Sequence, residues 1–84
     1  MTLLAKAQSV STREELARFV EALAEDCRSH ADDWENSDLL SFLEAMAGWI
    51  QDMDGYYQNT GEQMSELPPW RLLADTLLAA RSYE

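Results

Sequence analysis

Between Ser29 and Trp70 the sequence has no lysine and no arginine. The same 42-residue stretch carries Asp32, Asp33, Glu35, Asp38, Glu44, Asp52, Asp54, Glu62 and Glu66, and the whole chain has a formal net charge of −10 at pH 7. Nucleic acids and anionic lipid surfaces are bound by neutralising their negative charge, and a surface of this sign repels them. Direct nucleic-acid binding and membrane-surface binding are therefore not expected. A basic protein or a cation is the favoured partner class. Acidity on this scale also serves solubility without implying any partner.

Other absences narrow the reading. No apolar run reaches the roughly 18 residues needed to cross a bilayer. Residues 1–9 have neither the apolar segment nor the basic start of a signal peptide, so a cytoplasmic location is expected. The lone Cys27 cannot form an intramolecular disulfide, which fits a reducing compartment. It falls in an apolar helical register, where cysteine reads as a small hydrophobe rather than a reactive thiol.

With one histidine, His30, no Ser-His-Asp or Cys-His constellation assembles. There is no glycine-rich loop with a lysine to meet phosphates. The sequence reads as noncatalytic, with no cofactor. Metal binding fails on spacing. Asp52-Met-Asp54-Gly55 resembles the start of a calcium loop, but counting from Asp52 puts Tyr56 at position 5 and Gln63 at position 12, where oxygen ligands and a glutamate are needed. The acids around His30, namely Asp32, Asp33, Glu35 and Asp38, bring a single nitrogen ligand, too few for zinc.

What is present is a helical pattern. Residues 1–10 show no sustained period and are expected to form a flexible or loosely docked arm, leaving residues 11–84 as a single helical domain. Ser11-Thr-Arg-Glu14 has the spacing of a capping box. Leu16, Phe19, Val20, Leu23, Ala24 and Cys27 follow on one stripe, predicting a helix over residues 12–29. Asn36 or Ser37 can cap a second helix, in which Leu39, Phe42, Leu43, Met46, Ile50 and Met53 recur at helical spacing. Leu40, Ala47 and Trp49 widen that stripe, so this helix is expected to be the central one. Gly55 is expected at its C-terminal cap, where a left-handed residue costs glycine nothing.

Residues 56–67 are irregular, with at most a short helical turn over 62–66. Pro68-Pro69 marks a boundary, and Trp70, Leu73, Ala74, Leu77 and Leu78 predict a third helix running to about residue 83. No segment alternates in the manner of a strand. The expected fold class is all-α: a compact bundle of three main helices with an irregular loop between the second and third.

Several segments together resemble an uncharacterised family of small acidic bacterial proteins. They are Trp34-Glu-Asn36, Phe42-Leu-Glu-Ala-Met-Ala-Gly-Trp-Ile50, Asp52-Met-Asp-Gly-Tyr-Tyr57, Trp70 with Leu73-Ala-Asp75, and Ala80-Arg-Ser-Tyr-Glu84. The likeness spans residues 10–84. It implies a bacterial protein with no assigned activity, and it carries over no catalytic or binding residue.

The residues left as candidates combine aromatic rings with acids: Asp32, Asp33, Trp34 and Glu35 in the first connector, and Asp52, Asp54, Tyr56 and Tyr57 at the end of the second helix. Tryptophan and tyrosine beside charge commonly compose protein interfaces, although the same rings also close the ends of small cores. Trp49 and Trp70 are expected in the core. The resulting expectation is a noncatalytic acidic protein-binding module that neutralises or regulates a basic partner protein, in the manner of an immunity protein, an antitoxin or a nucleic-acid mimic. The alternative is a structural or homo-oligomeric helper that docks its wide second helix on itself, as in a homodimer, or on a neighbouring protein.

Overall fold

The computed structural model describes residues 2–83, so Met1 and Glu84, the ends of the expected arm and domain, lie outside it. Among the described residues there are four α-helices: α1 (Leu3–Gln8), α2 (Arg13–Ser29), α3 (Leu39–Thr60) and α4 (Pro69–Ala80). Short 3-10 turns occupy Ala31–Asp33 and Met64–Glu66. Among the described residues there is no strand, and the all-α class with three main helices holds.

The expected flexible or loosely docked arm is instead helical. Thr2 accepts a hydrogen bond from the amide of Ala5 at 3.0 Å and starts α1. The helix packs on α2 and α4, which leaves Ala7 0% and Val10 3% exposed. Two small apolar residues are too weak a periodic signal to announce a helix, and it is the contact with the rest of the chain that stabilises this one.

The cap of α2 sits one residue later than Ser11 and Glu14. Both Ser11 and Thr12 are followed three residues on by a glutamate, and the chain uses the second pair. Thr12 accepts from the Glu15 amide at 3.1 Å, while the Glu15 carboxylate accepts from the amides of Ser11 at 2.9 Å and Thr12 at 3.1 Å. Leu16, Phe19 and Leu23 point inward, whereas Val20 is exposed.

The central helix is α4, not α3. It packs against α1, α2 and α3, while α3 makes its main contacts with α4 alone. Ala7, Val10, Leu16, Phe19, Leu23, Ala74 and Leu78 form the principal core, with Leu3, Trp34 and Leu77 packed against it. A 12-residue helix surrounded on three sides needs small residues for close approach, and Ala74, Thr76 and Ala80 supply them.

The longest element, α3, starts at Asp38, whose carboxylate accepts from the Ser41 amide at 2.9 Å. It does not end at Gly55, which lies inside the helix. It ends at Gly61, the one described residue with positive φ, at 79°. There the amide of Glu62 reaches the Tyr57 carbonyl at 3.0 Å and that of Gly61 reaches Gln58 at 3.3 Å, a Schellman closure. The extra turns persist because Tyr57 is anchored in the core, as described below. Gly48 faces the Tyr83 ring, whose Cε2 would lie in contact with an added Cβ at 3.4 Å.

Candidate functional site

The connector between α2 and α3 is fixed from three sides. Trp34 Nε1 donates to Asp26 Oδ2 at 2.8 Å, and Arg81 Nη1 reaches the same oxygen at 3.4 Å. The hydrogen bond from Trp34, followed by the charges of Arg81 and His30, holds the Asp26 carboxyl below its ordinary range. The Arg81 guanidinium lies 5.8 Å from the centre of the Trp34 ring, and that ring stacks on Phe42 at 6.1 Å.

Asn36, an expected cap for α3, instead serves the far end of α4. Its Nδ2 donates to the carbonyls of Ala80 at 3.1 Å and Tyr83 at 2.9 Å, and its amide donates to Arg81 O at 2.8 Å. Carbonyls left over at a helix C-terminus are thereby satisfied from a distant loop. Beside this anchor, Trp34, Asn36, Ser37, Asp38, Leu39 and Phe42 line an open cleft of about 270 Å³.

The second group of candidates lies in the C-terminal half of α3. Tyr57 is 1% exposed and its hydroxyl donates to Asp75 Oδ2 at 2.6 Å. Arg71 completes the cluster, with Nε 3.4 Å from Asp75 and Nη1 2.9 Å from Glu62. Burial pushes both the Asp75 carboxyl and the Tyr57 phenol above their ordinary values. Tyr57 is therefore a core residue and is unavailable to a partner. Tyr56 is exposed at one edge and packs on Trp49 at 5.6 Å. Asp52 accepts from the Tyr83 hydroxyl, and Asp54 is exposed.

The eight candidates do not form one patch. Asp32 and Asp33 lie in the 3-10 turn and are exposed, Trp34 is half-buried, and Glu35 is exposed. Asp52 and Tyr56 lie further along α3 and, four residues apart, share one face of it, while Asp54 points away from them. Trp49 is buried as expected, but Trp70, expected in the core, is exposed. The Asp52–Gly55 segment is helical, so it cannot wrap an ion as a calcium loop does. Among the described residues no three His, Cys, Asp or Glu side chains are placed to hold a metal ion.

What the candidate residues bracket is an open apolar face. Leu39 is 73% and Leu40 68% exposed, and Leu43 and Ile50 are each about half exposed. With the exposed Ala47 they recur at helical spacing along α3. Helical spacing also places the half-buried Met46 and Met53 along one side. The charged residues of α3 and its cap are Asp38, Glu44, Asp52 and Asp54, all acidic. The clue in the sequence was the width of the stripe: one neighbouring helix cannot cover an apolar arc that includes Leu39, Leu40, Phe42, Leu43, Met46, Ile50 and Met53.

Fold and surface together define a small all-α bundle in which the longest helix is covered on one side and apolar on the other. The chain belongs to a family described as a family of unknown function, DUF7660, which matches residues 12–84. No curated protein and no solved structure matches the chain.

Proposed function

We propose that this protein is a noncatalytic binding module that engages a basic partner protein through α3 and thereby neutralises or regulates it. The supporting observation is the pairing of an open apolar stripe, Leu39, Leu40, Leu43 and Ile50, with charges of one sign only along the same helix. Apolar area supplies affinity, while acids at its rim select for Lys and Arg and accelerate encounter. An immunity protein or antitoxin covering a cationic active site is the concrete form of this reading, and a nucleic-acid mimic follows the same charge logic.

A second reading, self-association through the same face, is favoured by the exposure of these leucines. It is weakened by charge, because two copies of α3 bring carboxylates to the shared face with no cation on either helix to pair them. The test is capture from host lysate on the wild-type chain and on a Leu43→Asp, Ile50→Asp variant, eluted with a salt gradient. The expected result is one basic protein held by the wild type, released at moderate salt and lost from the variant. Equal capture by both chains, or a wild-type dimer in light scattering, would overturn the proposal.

A further inference from the structure

We infer that the open face of α3 is a groove for an amphipathic helix of the partner, carrying Lys or Arg on the edges of its apolar stripe, with one bulky apolar side chain seated between Trp34, Leu39 and Phe42. The inference rests on the protein-binding reading above and adds the shape and anchoring of what occupies the face.

Length and period come first. From Leu39 to Ile50 the stripe covers eleven residue steps, roughly 17 Å of helix axis at 1.5 Å per residue. About three turns of a partner helix match that length, presenting side chains at i, i+3, i+4 and i+7. Leu39, Leu43, Ala47 and Ile50 offer the complementary spacing. Among the described residues there is no strand, so no sheet edge is open to an extended peptide.

The anchor position is pre-formed. Trp34 is held by its 2.8 Å hydrogen bond to Asp26 and by stacking on Phe42, so the wall of the 270 Å³ cleft does not need ordering on binding. A rigid apolar recess at one end of a helical stripe suits a Trp, Phe or Leu side chain. Met46 and Met53, with flexible thioethers, adapt the side wall.

Charge selects among occupants. Asp38 lies at the cleft, Glu44 follows along the helix, and Asp54 sits one turn beyond Ile50. In an antiparallel pair of α3 helices centred near Ala47, helical geometry places Asp54 of each copy over Leu40 of the other. That buries a carboxylate against a leucine with no cation on either helix. A helix with Lys or Arg at those edges gains the attraction instead. The second copy is thus the disfavoured occupant and the basic helix the favoured one.

The test uses the full chain and three labelled peptides of about 15 residues, long enough to span the stripe. The first has leucines and one tryptophan at helical spacing with lysines elsewhere. The second is its shuffled isomer, with equal charge and no stripe. The third replaces lysine by glutamate. Fluorescence anisotropy reads binding to the wild type and to Leu39→Lys, Leu43→Lys and Val20→Lys, the last adding the same charge on the exposed side of α2. The expected result is binding of the striped lysine peptide, weakened about tenfold or more by Leu39→Lys and Leu43→Lys, as for a central contact, and within about twofold of wild type for Val20→Lys.

Equal binding of the shuffled peptide, insensitive to Leu39→Lys and Leu43→Lys, overturns the helix groove while leaving a basic partner in place. No preference for lysine over glutamate peptides overturns both readings. A wild-type dimer that Leu43→Lys dissociates assigns the face to a second copy and overturns the inference.

Discussion

The hydroxyl of Tyr57, near the end of α3, donates to Oδ2 of Asp75 in the middle of α4 at 2.6 Å, inside the core. This bond ties the long helix to the central one. It explains why α3 continues past Gly55, since the turn containing Tyr57 is held by a buried partner. Replacing Tyr57 with Phe preserves the ring and removes the donor, leaving a buried carboxylate with one contact fewer. The expected cost is about 1–3 kcal/mol, measured by urea unfolding of wild type and variant at pH 7. A change near zero would show that Arg71 alone satisfies Asp75.

Two carboxylates give opposite pH slopes. Burial raises the Asp75 carboxyl above its ordinary 3.8. A raised acid favours the folded state most where it is protonated, so its contribution is full below 3.8 and is lost as pH rises through the folded value. The Trp34 hydrogen bond lowers the Asp26 carboxyl below its ordinary 3.8, so its contribution is present above 3.8 and is lost as pH falls through the folded value. Relative to Asp75→Asn, wild type therefore does better at pH 3 than at pH 7. Relative to Asp26→Asn it does better at pH 7 than at pH 3. Denaturant midpoints of the three proteins across this range check both signs.

Gly55 and Gly61 make a paired test of where α3 ends. Gly55 lies inside the helix with nothing within 4 Å of an added Cβ, so Gly55→Ala is expected to stabilise by about 0.5–1 kcal/mol. Gly61 has φ of 79°, where a Cβ is strained, so Gly61→Ala is expected to destabilise by about 1–2 kcal/mol. Thermal melts of the two variants should move in opposite directions. Reversed signs would place the helix end at Gly55.

The two glycines also mark the limit of what the sequence made legible. The α2 stripe, the proline start of α4 and the all-α class could be read because apolar spacing and cap chemistry act locally. Gly55 and Gly61 are both plausible helix stops, and the choice is made by Tyr57 reaching a partner 18 positions away. The burial of Ala7 and Val10 depends likewise on α4, which lies at the other end of the chain. For the candidate site, composition pointed to acids and rings. Which ring turns inward (Tyr57) and which outward (Tyr56, Trp70) is settled by packing that no local pattern encodes.

Asn36 shows the same long-range logic and carries a prediction. Its amide group closes the carbonyls of Ala80 and Tyr83, so it ties the connector before α3 to the end of α4. Asn36→Ala removes two partly buried hydrogen bonds and is expected to cost about 1–2 kcal/mol. Hydrogen exchange should accelerate at Trp34, Arg81 and Tyr83 before the rest of the bundle opens. Uniform acceleration across all helices would instead indicate that Asn36 contributes only to global stability.

The last prediction separates folding from binding on α3. If its outer face is open, Leu39→Lys and Leu43→Lys place charges in water and should change unfolding free energy by no more than about 0.5 kcal/mol. Trp49, on the covered side of the same helix and buried, should respond very differently. Trp49→Ala is expected to cost about 3–5 kcal/mol, as large core truncations do. The leucines are thus held at the surface without stabilising the fold of the single chain, although exposed leucine is a liability for solubility. The proposed binding role would account for their exposure, because a complex recovers the free energy of burying them. Loss of several kcal/mol in Leu39→Lys or Leu43→Lys, measured at a concentration where light scattering finds a monomer, would place these leucines in the core and remove the basis for a docking face.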